Sequence, residues 1–407
     1  MRTIFKIAWR NIWRNKRRTM ITIASIMFAL FFAIIMRGFQ LGSYAKMKEN
    51  AIESYSGYIQ IHKKGYWDDK NINNIFSIDP SEVEKIRSDP RVNEVIPRLE
   101  SFALASSGES TRGVAVMGIS PEKENEMTRF KNYLKKGEFI TDEDHSVLVA
   151  ADLARFLKIG INDTLVLFSS GYHGATAAAL YPVKGILKLP IPDMNRSTVY
   201  LPIKAAQDFF GTGDQFTALA LDIDNLEDVN AVKEEVRSEI DPEKYEVMGW
   251  EKMNRELLQM IESDNAGGLI MITILYMVIA FGIFGTVLMM TNERKKEFSM
   301  MVSIGMQKWK LIWVVVLELI ILSFIGVLAG ILISLPVMLY FYYNPIKFSG
   351  DVVKIMKDFN FEPVMPVSMD PHIFITQGIV IFLISLFALY YPIIKISKLN
   401  IVKGLKG

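Results

Sequence analysis

Four uncharged apolar runs punctuate this chain, at residues 19–36, 265–292, 319–346 and 373–394. A polar block of more than two hundred residues separates the first run from the other three. About 20 apolar residues cross a bilayer core of about 30 Å as a helix, so each run is long enough to span, the first being the tightest fit. Arg37, just past that short run, can snorkel to the interface. A buried core helix is the alternative reading of any one run, but four such uncharged runs in one soluble domain would be exceptional. With their flanks, the spans are expected at 19–42, 265–292, 311–343 and 373–394.

The cations set the orientation. Arg2, Lys6, Arg10, Arg14, Lys16, Arg17 and Arg18 precede the first run with no acidic residue among them. Arg294, Lys295, Lys296, Lys308 and Lys310 lie between the second and third runs against only Glu293 and Glu297, and Lys395, Lys398, Lys403 and Lys406 follow the fourth. By the positive-inside rule these segments are cytoplasmic, and residues 38–264 and 347–372 face outward. Setting aside Glu293, Glu297 and the intramembrane Glu318, 41 of the 44 acids fall outside, against 30 of the 46 basic residues. The formal charge of +2 therefore hides an acidic exterior and a basic interior face.

Several chemistries have no foothold. There is no G-x-x-x-x-G-K-[ST] loop to cradle phosphates, no H-E-x-x-H and no G-x-S-x-G. The chain has no cysteine, which removes disulfides, thiolate metal sites and a cysteine nucleophile. His62, His145, His173 and His372 are scattered through the outer parts and read as surface or turn residues. No catalytic residue, metal ligand or cofactor is assigned, no nucleic-acid partner is expected, and the chain is not expected to be an enzyme on its own. The first run is slightly long for a signal peptide, and no small-residue cleavage site follows Met36.

Residues 1–18 read as an amphipathic cytoplasmic helix: Phe5, Ala8, Trp9 and Ile12 with Trp13 on one side, Lys6, Arg10, Arg14 and Arg17 on the other. It serves either as a topogenic signal or in gating. The outer block, 43–264, repeats a pattern at its two ends. Strand 58–62, helix 80–88 opened by Asp79 and extended 92–99 are matched by strand 216–222, helix 226–240 and strand 245–248. Two β-α-β units, 43–107 and 202–264, would thus carry a β-rich insertion, 108–201, with short runs at 113–117, 146–150, 164–168 and 198–201. The expected fold is an α-helical membrane protein with four transmembrane helices and a large extracytoplasmic α+β head. It is completed by a cytoplasmic segment 293–310, an outer loop 344–372 and a cytoplasmic tail 395–407.

The most specific stretch is that cytoplasmic segment. Glu293, Arg294, Glu297, Phe298, Met301 and Gly305 occupy an E-R-x-x-E-(I/F)-x-x-(L/M)-x-x-x-G pattern, which reads as a short surface helix ended by the glycine. This pattern resembles the FtsX-like permease superfamily of ABC transporters, to which MacB and LolC/LolE belong. The resemblance runs along most of the chain. Glu318 stands early in the third span, followed by Gly326 and Gly330, and Pro392, Lys398, Leu399, Asn400 and Leu405 resemble the family's usual end, although Ile401 replaces a proline. Gly57 to Tyr66, Pro97-Arg98-Leu99 and Gly118 to Pro121 are similar to the lipoprotein-releasing LolC/LolE branch.

The resemblance implies a bacterial inner-membrane permease subunit with cytoplasmic termini and a periplasmic head. It implies a dimer of separate ABC ATPase subunits supplying ATP and Mg chemistry, and a second permease making a homo- or heterodimer. It implies ATPase coupling through Glu293, Arg294, Glu297, Met300, Met301, Ile304, Gly305 and Met306. It further implies a lipid-accepting cavity between the first two spans, at Met36, Phe39, Leu269, Ile270, Ile274 and Met277, from which a lipoprotein leaves the outer leaflet for a periplasmic carrier. Glu318 is expected to have a structural partner, a cation of the amino-terminal helix, or a direct part in conformational coupling. Methionines such as Met271, Met277, Met289 and Met290 either pack or line an adaptable cavity. Carrier-binding members present a protruding, proline-bearing hairpin, whereas residues 169–180 here are short and rich in small residues. The alternatives are a MacB-like mechanotransmission export permease and an FtsX-like regulator of a cell-wall hydrolase.

Overall fold

The chain opens with two helices, α1 (Arg2–Arg14) and α2 (Lys16–Ala51), in a computed structural model that describes residues 2–14, 16–223, 226–358 and 363–400. Ile401, Lys403, Leu405 and Lys406 lie outside the described residues. The single apolar face expected for α1 is split: Ala8 and Ile12 are buried together with Ile4, while Phe5, Trp9 and Trp13 stay exposed. The apolar arc is wider than one helix contact can cover. Thr19 donates to the Ile12 carbonyl at 2.6 Å, satisfying one of the acceptors left open at the end of α1. The helix α2 continues past residue 42 to Ala51, because the segment beyond the apolar run keeps good helix formers and contains no proline.

The head forms its own compact unit, Lys46–Met260 with Phe348–Pro363. Its first half interleaves the two repeated units. The strands β1 (Ile59–Lys63), β2 (Val92–Ser107), β9 (Ala218–Ile223) and β10 (Tyr245–Gly249) stand in the order β10-β1-β9-β2, all antiparallel. Two helices, α3 (Pro80–Ser88) and α8 (Val229–Glu239), cover them, and Asp79 caps α3 by accepting from the Ser81 amide at 2.8 Å. The shared core holds Ile59, Ile61, Val95, Leu221, Val232 and Val236.

Between β2 and β9 lies the second half, with β3 (Ser110–Ile119), α4 (Pro121–Thr128), β4 (Leu134–Gly137), β5 (Val147–Ala150), α5 (Ala151–Leu157), β6 (Thr164–Ser170), β7 (Thr176–Leu187), α6 (Pro192–Ser197), β8 (Thr198–Pro202) and α7 (Ile203–Phe210). Its sheet continues from the first as β2-β3-β8-β5-β7-β4, with β6 bridging β2 and β7. The strand β2 belongs to both halves: residues 92–98 pair with β9 and residues 99–107 with β3. The strand changes partners between Arg98 and Leu99. There Arg98 makes a two-pronged pair with Glu124, at 3.0 and 2.6 Å, with both side chains buried. Thr217 accepts from the Glu100 amide at 2.8 Å and donates to the Arg98 carbonyl at 3.1 Å.

His62 is fully buried beside this junction, not on the surface as expected. Its Nδ1 lies 3.0 Å from the Thr217 carbonyl and its ring stacks on Tyr66. Burial holds its pKa down at about 4. The hairpin of β6 and β7 is joined by only five residues, Gly171 to Ala175, without proline.

After α9 (Trp250–Met253) the chain returns to the helical unit through α10 (Arg255–Glu293), α11 (Lys295–Ser303) and α12 (Lys308–Tyr343). A short ladder of β11 (Ile346–Lys347) and β12 (Val364–Met365) brackets α13 (Asp351–Asp358), and α14 (Pro371–Phe387) and α15 (Tyr390–Ser397) close the described chain. The last expected span is interrupted at Ala388–Leu389. Pro392 has no N–H and would clash with the carbonyl of Ala388, so one helix stops and another starts. Among the described residues four helical stretches are long and apolar enough to cross a membrane: Lys16–Ala51, Arg255–Glu293, Lys308–Tyr343 and Pro371–Ser397. Gly326 and Gly330 let α12 approach α2 closely. A Cβ on either would lie 2.8 Å from Ile26 Cβ or 2.9 Å from Leu30 Cβ.

Candidate functional site

The reversal between α10 and α12 is built around one buried charge. Arg294 sits at the turn after α10 with φ −92° and ψ 5°, outside both helices, and its side chain turns inward. Its Nη1 donates to both carboxylate oxygens of Glu318 on α12, at 2.8 and 2.7 Å, and both side chains are 5% exposed. The guanidinium lies 5.2 Å from the Phe298 ring centre, and Val287, Met290, Thr291, Val315 and Leu319 complete the surroundings. In so apolar a setting either charge left alone would be costly, and the pairing offsets that cost. The partner of Glu318 is thus Arg294, and no cation of α1 occupies that place. Across 24 residues of sequence nothing marks the pairing, whereas α1 carried the larger cluster of cations.

The two glutamates of the motif instead meet Arg14 at the end of α1 and Arg18 at the start of α2. Arg14 donates to Glu297 at 2.8 Å, Arg294 Nε donates to the same carboxylate at 3.3 Å, and Arg18 donates to Glu293 at 2.5 Å. A continuous chain Arg14–Glu297–Arg294–Glu318 therefore joins α1, α11 and α12.

Above this anchor α11 divides its apolar residues between two directions. Phe298 is buried, and Met301, Val302 and Met306 are half-buried against the helical core. Met300 and Ile304, four residues apart, point away and are 55% and 80% exposed. The helix ends in two reverse bonds, Met306 N–H to Met301 O at 3.1 Å and Gly305 N–H to Val302 O at 3.1 Å. Gly305 has φ +103° and nothing lies within 4 Å of where its Cβ would be, so backbone conformation, not space, demands the glycine. Of the eight residues expected to couple to an ATPase, Met300 and Ile304 present apolar surface. Met301 and Met306 pack inward, Arg294 is an internal anchor, and Gly305 shapes the turn.

The residues expected to form a cavity also separate. Leu269, Ile270, Ile274 and Met277 are exposed on α10, whereas Met36 and Phe39 on α2 are half-buried and the Phe39 ring packs on Phe341, 5.4 Å between centres. Near them, Arg37 does more than snorkel. It donates to Gln40 at 2.7 Å and to Asn265 at 2.8 Å, and Gln40 donates to Tyr44, which donates to Asp264. This chain ties α2 to α10, and the sequence reading missed it because each member is an ordinary interfacial residue when taken alone.

Comparison with known proteins gives two family matches. Residues 269–401 match the FtsX-like permease C-terminal family, and residues 19–239 match the MacB-like periplasmic core domain. A curated relative, the lipoprotein-releasing system transmembrane protein LolC of Neisseria meningitidis serogroup B, is 20% identical over 244 residues. The matched part covers 58% of this chain and 58% of the relative, so the chain spans less than two thirds of that relative's length. Among solved structures, the periplasmic region of MacB from Actinobacillus actinomycetemcomitans is 14% identical, with TM-score 0.34, covering 49% of this chain and 91% of that one. The extracellular domain of the noncanonic ABC-type transporter YknZ from Gram-positive bacteria is 14% identical, with TM-score 0.35, covering 47% and 100%.

Proposed function

We propose, from the premise that this chain belongs to the FtsX-like permeases with a MacB-like periplasmic core domain, that it is the membrane subunit of an ABC transporter whose ATPase is a separate protein. The observation that carries the reading is the apolar pair Met300 and Ile304. Both are exposed on a helix whose other side is fixed by the buried Arg294–Glu318 pair. Exposed apolar side chains on a rigid mount suit reception by a groove on a partner. A push on α11 then passes through Arg294 to α12 and through Glu297 to α1, since paired charges move together. In this reading α11 faces the cytoplasm of a bacterium, the head faces the periplasm, and a second permease subunit completes the complex.

The cargo we propose is a lipoprotein, taken from the outer leaflet of the inner membrane and passed to a periplasmic carrier. The likeness to LolC supports this cargo, and so does the exposed α10 row of Leu269, Ile270, Ile274 and Met277, which offers acyl chains an apolar wall. Each buried CH₂ stabilises an anchor by about 0.8 kcal/mol, so acylated proteins do not leave a bilayer unaided at a useful rate. A photo-crosslinker at Ile270 or Ile274 should capture an acylated protein, and ATP added with the ATPase subunit should release it. Recovery of phospholipid alone at both positions would transfer the proposal to head-driven export.

A further inference from the structure

The helix α1 carries three arcs at about 100° per residue. Ile4, Ala8 and Ile12 form the first and are buried, with Ile4 and Ala8 against Val314 of α12. Phe5, Trp9 and Trp13 form the second, all exposed, the two tryptophans edge to face with ring centres 6.0 Å apart. Lys6 and Arg10 form the third, continued by Arg14, and all of these are exposed. Arg14 and Arg18 are paired with Glu297 and Glu293, but Lys6, Arg10, Lys16 and Arg17 have no carboxylate partner among the described residues. Residues 1–18 contain no acid that could supply one. An aromatic row beside a cationic row, on a helix whose third side is already packed, matches the boundary between acyl chains and headgroups. The apolar helix α2 begins immediately afterwards and holds α1 near that boundary.

From this geometry we infer that the free side of α1 is a recognition surface for anionic phospholipid headgroups. Phe5, Trp9 and Trp13 enter the acyl boundary, and Lys6 and Arg10, joined by Arg17 at the start of α2, read the phosphate charge. Four cations with no carboxylate partner among the described residues make the surface complementary to an acidic leaflet, whereas a groove on a protein would have to supply as many carboxylates. Each cation near such a leaflet favours binding by about fivefold. The inference does not depend on what the permease moves.

The full chain in nanodiscs of phosphatidylcholine with increasing phosphatidylglycerol tests it, with bromine on the acyl chains of one lipid class at a time. Fluorescence of Trp9 and Trp13 is isolated by difference from a Trp9→Phe/Trp13→Phe chain. Bromine on the anionic lipid should quench these tryptophans at a low mole fraction, well before bulk mixing predicts. Lys6→Gln/Arg10→Gln/Arg17→Gln should shift half-quenching to a fraction at least about fivefold higher, while Lys6→Arg/Arg10→Lys/Arg17→Lys should keep the original preference. Equal quenching from both lipid classes in the unmodified chain would overturn the inference, since apolar contact alone would then explain it. Absence of quenching from either class would overturn it too, by showing that another protein surface or water covers α1.

Discussion

Removing one charge from the Arg294–Glu318 pair should damage the protein far more than removing both. Two unit charges about 4 Å apart at an effective dielectric near 20 attract by about 4 kcal/mol, and a lone charge left buried costs about 3–5 kcal/mol. Both side chains are 5% exposed, so water cannot rescue the survivor. Glu318→Leu and Arg294→Met should each destabilise by about 3–5 kcal/mol, whereas the double variant, with apolar groups of similar volume, should lose much less than their sum. The coupling energy should be about 3 kcal/mol, read from unfolding of the four chains in mixed detergent micelles. The pair Arg14–Glu297 supplies the internal contrast. Its side chains are 59% and 40% exposed, so Arg14→Gln should cost under about 1 kcal/mol. Additive losses at positions 294 and 318 would refute the reasoning, because two groups that do not stabilise each other cannot anchor α11.

Three further outcomes follow from the geometry. Gly326→Leu should destabilise by about 1–3 kcal/mol through overpacking against Ile26, and an unchanged unfolding midpoint would mean that α2 and α12 do not approach as closely as described. Met301→Ala should lower the stability of the chain alone by about 2 kcal/mol, while Ile304→Ala, which removes only exposed surface, should stay within about 0.5 kcal/mol in the same thermal unfolding assay. His62 supplies a pH dependence. The unfolded chain takes up a proton near pH 6.5, but the folded head resists until about 4, so stability is full above 6.5 and falls as pH drops through that window. The loss should approach about 3 kcal/mol, reported by fluorescence of Trp67, whose ring centre lies 5.5 Å from the imidazole, and His62→Gln should remove the dependence.

The sequence carried the four apolar helices and the helix and strand pattern at both ends of the head, because those signals are local. Hydrophobic length, a period of two or 3.6 and the Asp79 cap need no distant partner. What it did not carry depends on pairing across distance. Arg294 and Glu318 are both visible as charges near an apolar run, but only the reversal between α10 and α12 brings them together. The stretch 176–187, with Pro182 and Gly185, is not among the short runs expected as strands, yet it is held as β7 by pairing with β4, β5 and β6. The motif around Glu293 to Gly305 was recognisable as a unit without showing how its members divide. At i and i+1 Met300 and Met301 are the same residue type, about 100° apart around the helix, and only packing against the helical core decides which is covered.

The most direct test of the account is a photo-crosslinker placed in turn at Ile304, Met300 and Met301 in the full chain, co-expressed with the ATPase subunit proposed for it. The exposed pair on an anchored helix predicts adducts to a protein that hydrolyses ATP from positions 304 and 300, and only intrachain adducts from 301. Adducts to the ATPase from 301 alone, or from none of the three while the complex remains assembled, would contradict the assignment of α11 as the coupling surface.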